Sequence, residues 1–104
     1  MKVLNTIEEI NLVKAPALIK FGQPGCIPCQ MTEDILVGFE EEFKDVAFYS
    51  CSNVDVVIEL GIQHTPFIKV LTNDGEASLS DVSVMMDRDA LKSWLNEQFS
   101  NNNK

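Results

Sequence analysis

No run of 18 apolar residues occurs in this 104-residue chain, and its opening Met-Lys-Val-Leu-Asn-Thr turns Glu-rich with no stretch resembling a leader peptide. The first absence excludes a membrane-spanning helix of ordinary length, and the two together set the expectation of a cytoplasmic protein. Basic residues are scarce: 8 Lys and Arg stand against 16 Asp and Glu, a net charge of -8. A surface of that sign repels phosphate backbones and anionic lipid, so neither nucleic acid nor a membrane is expected as a partner. Most of the acids read as solvated faces, as in Glu40-Glu41-Glu42. Cysteine is scarce too. Three unevenly spaced cysteines are too few for a disulfide-stapled scaffold, and one is left over if the other two pair. No repeat, linker or low-complexity block divides the chain, so residues 1–104 read as one domain. At this length about two-thirds of the unfolded surface can be buried in a single core, without help from a disulfide.

The chemistry-bearing stretch runs from Lys20 to Met31 and contains Gly22-Gln23-Pro24-Gly25-Cys26-Ile27-Pro28-Cys29. An apolar run, Ala17 to Phe21, precedes it and reads as a buried central strand interrupted only by Lys20. The Gly/Pro cluster then forces a loop. Beyond the loop Met31, Ile35, Phe39 and Phe43 recur at spacing four with Leu36 beside them, which predicts a helix from about Pro28 to Phe43. Both cysteines therefore fall at a helix N-terminus, where unpaired N–H groups and the helix dipole favour an anion such as a thiolate. Pro28 suits the first turn, where its missing N–H is not needed. A Cys-x-x-Cys pair in such a chain points to catalysis or to a metal.

The remaining elements follow from caps and periodicity. Lys2 to Leu4 reads as a short strand. Thr6-Ile-Glu-Glu9 has capping-box spacing and opens a helix burying Ile7, Ile10 and Val13 until Pro16 stops it. Val46 to Cys51 is a third strand. Asn53 caps a short helix filled by Val54, Val57, Ile58 and Leu60 and ended by Gly61. Thr65-Pro66 opens a strand over Phe67 to Leu71, and Asn73-Asp74-Gly75-Glu76 turns it into a last strand from about Ala77 to Val84. Asp87 caps a final helix striped with Leu91, Trp94, Leu95 and Phe99, and the tail from Ser100 to Lys104 reads as frayed. The early alternation implies a parallel crossover and the hairpin an antiparallel edge: an α/β fold with a mixed central sheet and helices on both faces.

With Cys26-Ile27-Pro28-Cys29 at a strand-to-helix turn, Gly61-Ile62 followed by Thr65-Pro66 before a strand, the Asn73–Glu76 hairpin and an Ala90-Leu91-Lys-x-Trp94-Leu95 closing helix, the chain resembles the thioredoxin family over essentially its whole length. The resemblance implies a thioredoxin-like fold and an enzyme, a dithiol–disulfide oxidoreductase serving electron transport and cell redox homeostasis. Cys26 matches the nucleophile, Cys29 the resolving thiol, and Pro66 a cis-proline set against the active-site disulfide. Gly25, Ile27, Pro28, Thr65 and Pro66 would border the substrate, with the Thr65 backbone free to pair with an extended segment. No cofactor is implied beyond the Cys26–Cys29 disulfide. The implied partners are disulfide-containing proteins and a flavoprotein resembling thioredoxin reductase, through which NADPH acts indirectly, and the protein is expected to be a monomer.

Three positions depart from the family pattern. Gly25 stands where tryptophan usually precedes the first cysteine, Gly22 stands where an aromatic is usual, and Lys20 occupies the place of a buried aspartate thought to serve the resolving thiol. Lys20 can tune the cysteine pKa values through its ammonium or, desolvated and neutral, take the proton itself; alternatively its stem can line the core while the ammonium snorkels to water. Gly38 takes part in a helix that lacks the family's kinking proline. Cys51 reads as a small buried residue or as a third reactive thiol. His64 reads as an exposed loop residue or as a titratable group at the substrate rim. Two other function classes remain open. One is a zinc site built from Cys26, Cys29, Cys51 and His64. The other is a non-catalytic binding or accessory module in which the cysteines are incidental.

Overall fold

In the computed structural model, which describes residues 1–100, five strands and five helices follow one another in the order β1 (Lys2–Val3), α1 (Ile7–Asn11), β2 (Ala17–Phe21), α2 (Ile27–Phe39), β3 (Ala47–Cys51), α3 (Val54–Glu59), β4 (Phe67–Thr72), β5 (Gly75–Leu79), α4 (Val82–Met85) and α5 (Arg88–Phe99). The strands form one mixed sheet in the order β1-β3-β2-β4-β5. β1 and β2 run parallel to β3, whereas β4 runs antiparallel to both β2 and β5. All five residues of β2 are buried, as befits a strand with neighbours on both edges.

Strand alternation deals the side chains to two cores. Leu18, Phe48, Ile68 and Val70 face α2, α4 and α5, where they meet Leu36, Phe39, Met85, Leu91, Leu95 and Phe99. Ile19, Phe21 and Cys51 face the other way, against Ile10 of α1 and Val56 and Val57 of α3. Helices thus cover both faces, as expected. Capping follows the expected chemistry. Thr6 and Glu9 form a complete capping box, Asn53 accepts from the Asp55 N–H, and Asp87 accepts from the N–H groups of Asp89 and Ala90.

Four local expectations are corrected. Helix α2 ends at Phe39, and Phe43 reaches the core from the turn that follows, its N–H still bonded to the Phe39 carbonyl at 3.0 Å. Met31 is 46% exposed and Thr32 takes the buried place on that face. The inward face is Cys29-Thr32-Leu36-Phe39, so it begins at the cysteine and excludes Met31. In α3 it is Val56 and Val57 that are buried, whereas Val54, Ile58 and Leu60 are exposed. A helix of six residues has room for one inward turn only. Finally, β5 stops at Leu79, because Asp81 caps the short helix α4, which the apolar run Val82-Ser-Val-Met85 had concealed as strand. Ser100 caps the C-terminal end of α5, and the expected fraying of residues 101–104 lies outside the described residues.

Candidate active site at the strand to helix turn

β2 ends at Phe21, and four residues of loop separate Gly22 from the first turn of α2. Gly25 turns this loop with φ at +77°, a left-handed conformation that costs an L side chain roughly 1 kcal/mol. Cys26 is the N-cap of α2: its Sγ accepts the Cys29 N–H at 3.2 Å. The two cysteines stand at disulfide distance, with Cα atoms 5.2 Å apart, and are joined as a disulfide. They are not equivalent. Cys26 is half-buried and Cys29 only 3% exposed, so an incoming sulfur meets Cys26 first. An anion on Cys26 would sit at the positive end of a 13-residue helix with one backbone N–H already directed at it. Pro28, in the first turn, leaves no N–H orphaned there.

A cleft of about 340 Å³ opens beside the pair, walled by Gly25, Cys26, Ile27, Cys29, Lys20 and Glu33 among others. Ile27 is 73% exposed at its lip. Lys20 does not snorkel. Its side chain is 3% exposed, and its Nζ lies 2.8 Å from Glu33 Oε1, a carboxylate supplied by α2. Ser50, the residue opposite Lys20 on β3, donates its Oγ–H to the same oxygen at 2.8 Å. The hydrogen bond from Lys20 holds the Glu33 carboxyl below the ordinary glutamate range against the opposing effect of burial, and the Ser50 hydroxyl adds to it. Gly22 makes this packing possible. A Cβ there would stand 3.2 Å from both Lys20 Nζ and Cys29 Cβ, and 3.4 Å from Cys29 Sγ. The ammonium and the inner sulfur therefore both border the space that Gly22 leaves open.

Thr65 and Pro66 are joined by a cis peptide, and Pro66 is fully buried. Phe21 pairs with Phe67, so one further step of the β2–β4 register sets Pro66 opposite Gly22, at the cysteine end of the sheet. A second cis bond, Ala15–Pro16, had no sequence signal. Cys51 is free and fully buried on the opposite sheet face. His64 is exposed and lines a separate cavity of about 400 Å³ with Ile62, Phe67 and Lys69. Among the described residues no three His, Cys, Asp or Glu side chains are grouped to hold a metal ion, so the zinc set of Cys26, Cys29, Cys51 and His64 is not assembled. Glu33 and Ser50 escaped the sequence reading. Glu33 lies one helical turn beyond Cys29 and so was findable by spacing, whereas Ser50 required the strand register.

No protein-family model and no curated protein matches the chain. Solved structures do. The oxidised mitochondrial thioredoxin 3 of Saccharomyces cerevisiae is 21% identical, covering 93% of this chain and 94% of its own with a TM-score of 0.72. Oxidised thioredoxin O2 of Arabidopsis thaliana is also 21% identical, with coverages of 92% and 91% and a TM-score of 0.75. Fasciola hepatica thioredoxin is 15% identical over 94% and 99%, with a TM-score of 0.74. No described helix is long and apolar enough to cross a membrane. Five mixed strands with helices on both faces, matched over nine-tenths of the chain by these structures, give this chain the thioredoxin fold, with the Cys26–Cys29 pair at disulfide distance at its strand-to-helix turn.

Proposed function

We propose that the protein is a thiol–disulfide oxidoreductase that reduces disulfides in other proteins through Cys26 and Cys29. The observation that carries this reading is the asymmetry of the pair: an accessible sulfur at a helix N-terminus, accepting a backbone N–H, with a second sulfur buried behind it. In the reduced protein the Cys26 thiolate attacks a substrate disulfide. A mixed disulfide forms, and the substrate's other sulfur leaves with the electron pair and takes up a proton. Cys29 then loses its proton and attacks Cys26 Sγ, releasing the second substrate sulfur as a thiol and closing Cys26–Cys29. The short reach between the sulfurs favours this second step over attack by thiols from solution. Two electrons have passed from the pair to the substrate. A flavoprotein reductase drawing on NADPH would return them, and the chain itself then needs no cofactor. The exposed Ile27 and the open cleft suit docking of an extended segment.

The test is trapping and potential together. Cys29→Ser should accumulate a mixed disulfide through Cys26 with a disulfide-bearing protein, and Cys26→Ser should accumulate none and reduce no faster than free thiol. Equilibration in thiol/disulfide buffers should place the pair near about -270 mV, among reductants. A value near about -120 mV would make the protein an oxidant, and failure of the pair to form a disulfide would leave the accessory-module reading.

A further inference from the structure

The floor of the cleft carries a charge arrangement that the exchange chemistry above does not use. Lys20 is 2% exposed, and lysine is almost never buried to that extent without a partner. Its partner Glu33 sits on the same helix as Cys29, one turn on, and both charges wall the cleft that the two cysteines also line. Ser50 adds a second donor to the carboxylate oxygen that Lys20 grips, so the carboxylate is fixed between two strands and a helix.

We propose that Glu33 is a positioning residue for exchange: with Ser50 it pins the Lys20 ammonium beside Cys29, and the two opposed charges together set how readily the resolving sulfur gives up its proton. The inference rests on the exchange reading. Cys29 must become a thiolate in a site 3% exposed, where an anion is poorly solvated and a neighbouring cation has a large effect. Lys20 supplies the cation, its Nζ and the Cys29 sulfur both bordering the space over Gly22. Glu33 keeps that cation in place and offsets part of its field. The other groups around Cys29 are few. Cys26 caps the helix three residues before it, and Gln23, Gln30 and Ser52 wall the cleft without charge. The N-terminal ammonium of Met1 pairs with Glu40 and reaches Glu33 only weakly, while Cys51 lies on the far face of the sheet. Gly22 completes the device, because any side chain there would occupy the space between ammonium and sulfur.

The arrangement makes a prediction that a merely structural ion pair does not: removing the two partners should move Cys29 in opposite directions. In a Cys26→Ser, Cys51→Ala background Cys29 is the sole thiol, and its thiolate can be titrated by ultraviolet absorbance while circular dichroism follows folding. Lys20→Met should raise the midpoint by about one pH unit or more, since it removes the cation and leaves the carboxylate. Glu33→Gln should lower it, because the amide oxygen still accepts from Nζ but carries no charge. Glu33→Asp should restore the parent midpoint more closely than Glu33→Gln does. Should Lys20→Met fail to fold, Lys20→Gln removes the same charge with a polar stem. Shifts in the same direction, or no shift in either variant, overturn the proposal. Cys29 titrates whether or not the protein exchanges disulfides, so such a failure leaves the exchange reading intact. Opposed shifts in a protein that traps no mixed disulfide would sink the exchange reading alone.

Discussion

Two neighbouring cross-strand pairs on β2 and β3, one residue apart, have opposite characters. Lys20 pairs with Ser50 and Phe21 pairs with Cys51. The first pair points toward α2, where Glu33 joins it to make a polar seam under the disulfide. The second points toward α1 and α3 and is sealed in an apolar cluster with Ile19, Val56 and Val57. The difference shows that proximity in sequence to the active turn says little about participation in it. Strand alternation sends Cys51 away from the reactive sulfurs and sends Ser50 toward them.

The comparison breaks most sharply on the apolar side. Phe21→Ala should cost about 3–5 kcal/mol in urea unfolding, since a fully buried ring would leave a cavity between β2, β4 and α3. Cys51→Ser should cost about 1–3 kcal/mol, because its hydroxyl would be buried in a cluster of apolar side chains. Equal costs for Cys51→Ser and Ser50→Ala would erase the contrast between the faces.

On the polar side the expected effects are smaller and depend on pH. Glu33 is held below its ordinary value near 4.5 by Lys20. Its contribution to stability is therefore complete above that value and is lost as pH falls through the lowered one. Unfolding free energy measured from about pH 6 down to about pH 3 should fall more steeply in the parent protein than in Glu33→Gln. Gly22→Ala should destabilise by about 1 kcal/mol, since the new methyl must push either the Lys20 ammonium or Cys29 aside by a few tenths of an ångström. A stabilised Gly22→Ala protein would show that the packing between ammonium and sulfur has slack.

Most of the frame was legible before the fold was known. Caps at Thr6, Asn53 and Asp87, the Gly/Pro loop after Phe21 and the four-residue spacing of Ile35 and Phe39 each act over a few residues, so local chemistry announces them. The expectations that failed concern which face is buried. Met31 and Thr32 adjoin on α2, and hydrophobicity favoured the methionine, but the helix rotates its Cys29 face inward and carries Thr32 with it. Apolar content likewise hid α4 within a strand, because Asp81 capping competes with β-pairing only where the sheet edge has already ended.

By itself the sequence determined the cysteine turn, its place at the head of a helix, the element order as far as the β4–β5 hairpin and the presence of a lysine at an apolar strand position, because each is a property of a few contiguous residues. Only the tertiary structure decided that Lys20 meets Glu33 and Ser50 from two other elements, that Gly22 leaves room for the ammonium beside Cys29, and that Cys51 is out of reach. Those outcomes depend on strand register and helix rotation, which are fixed by the packing of the whole core.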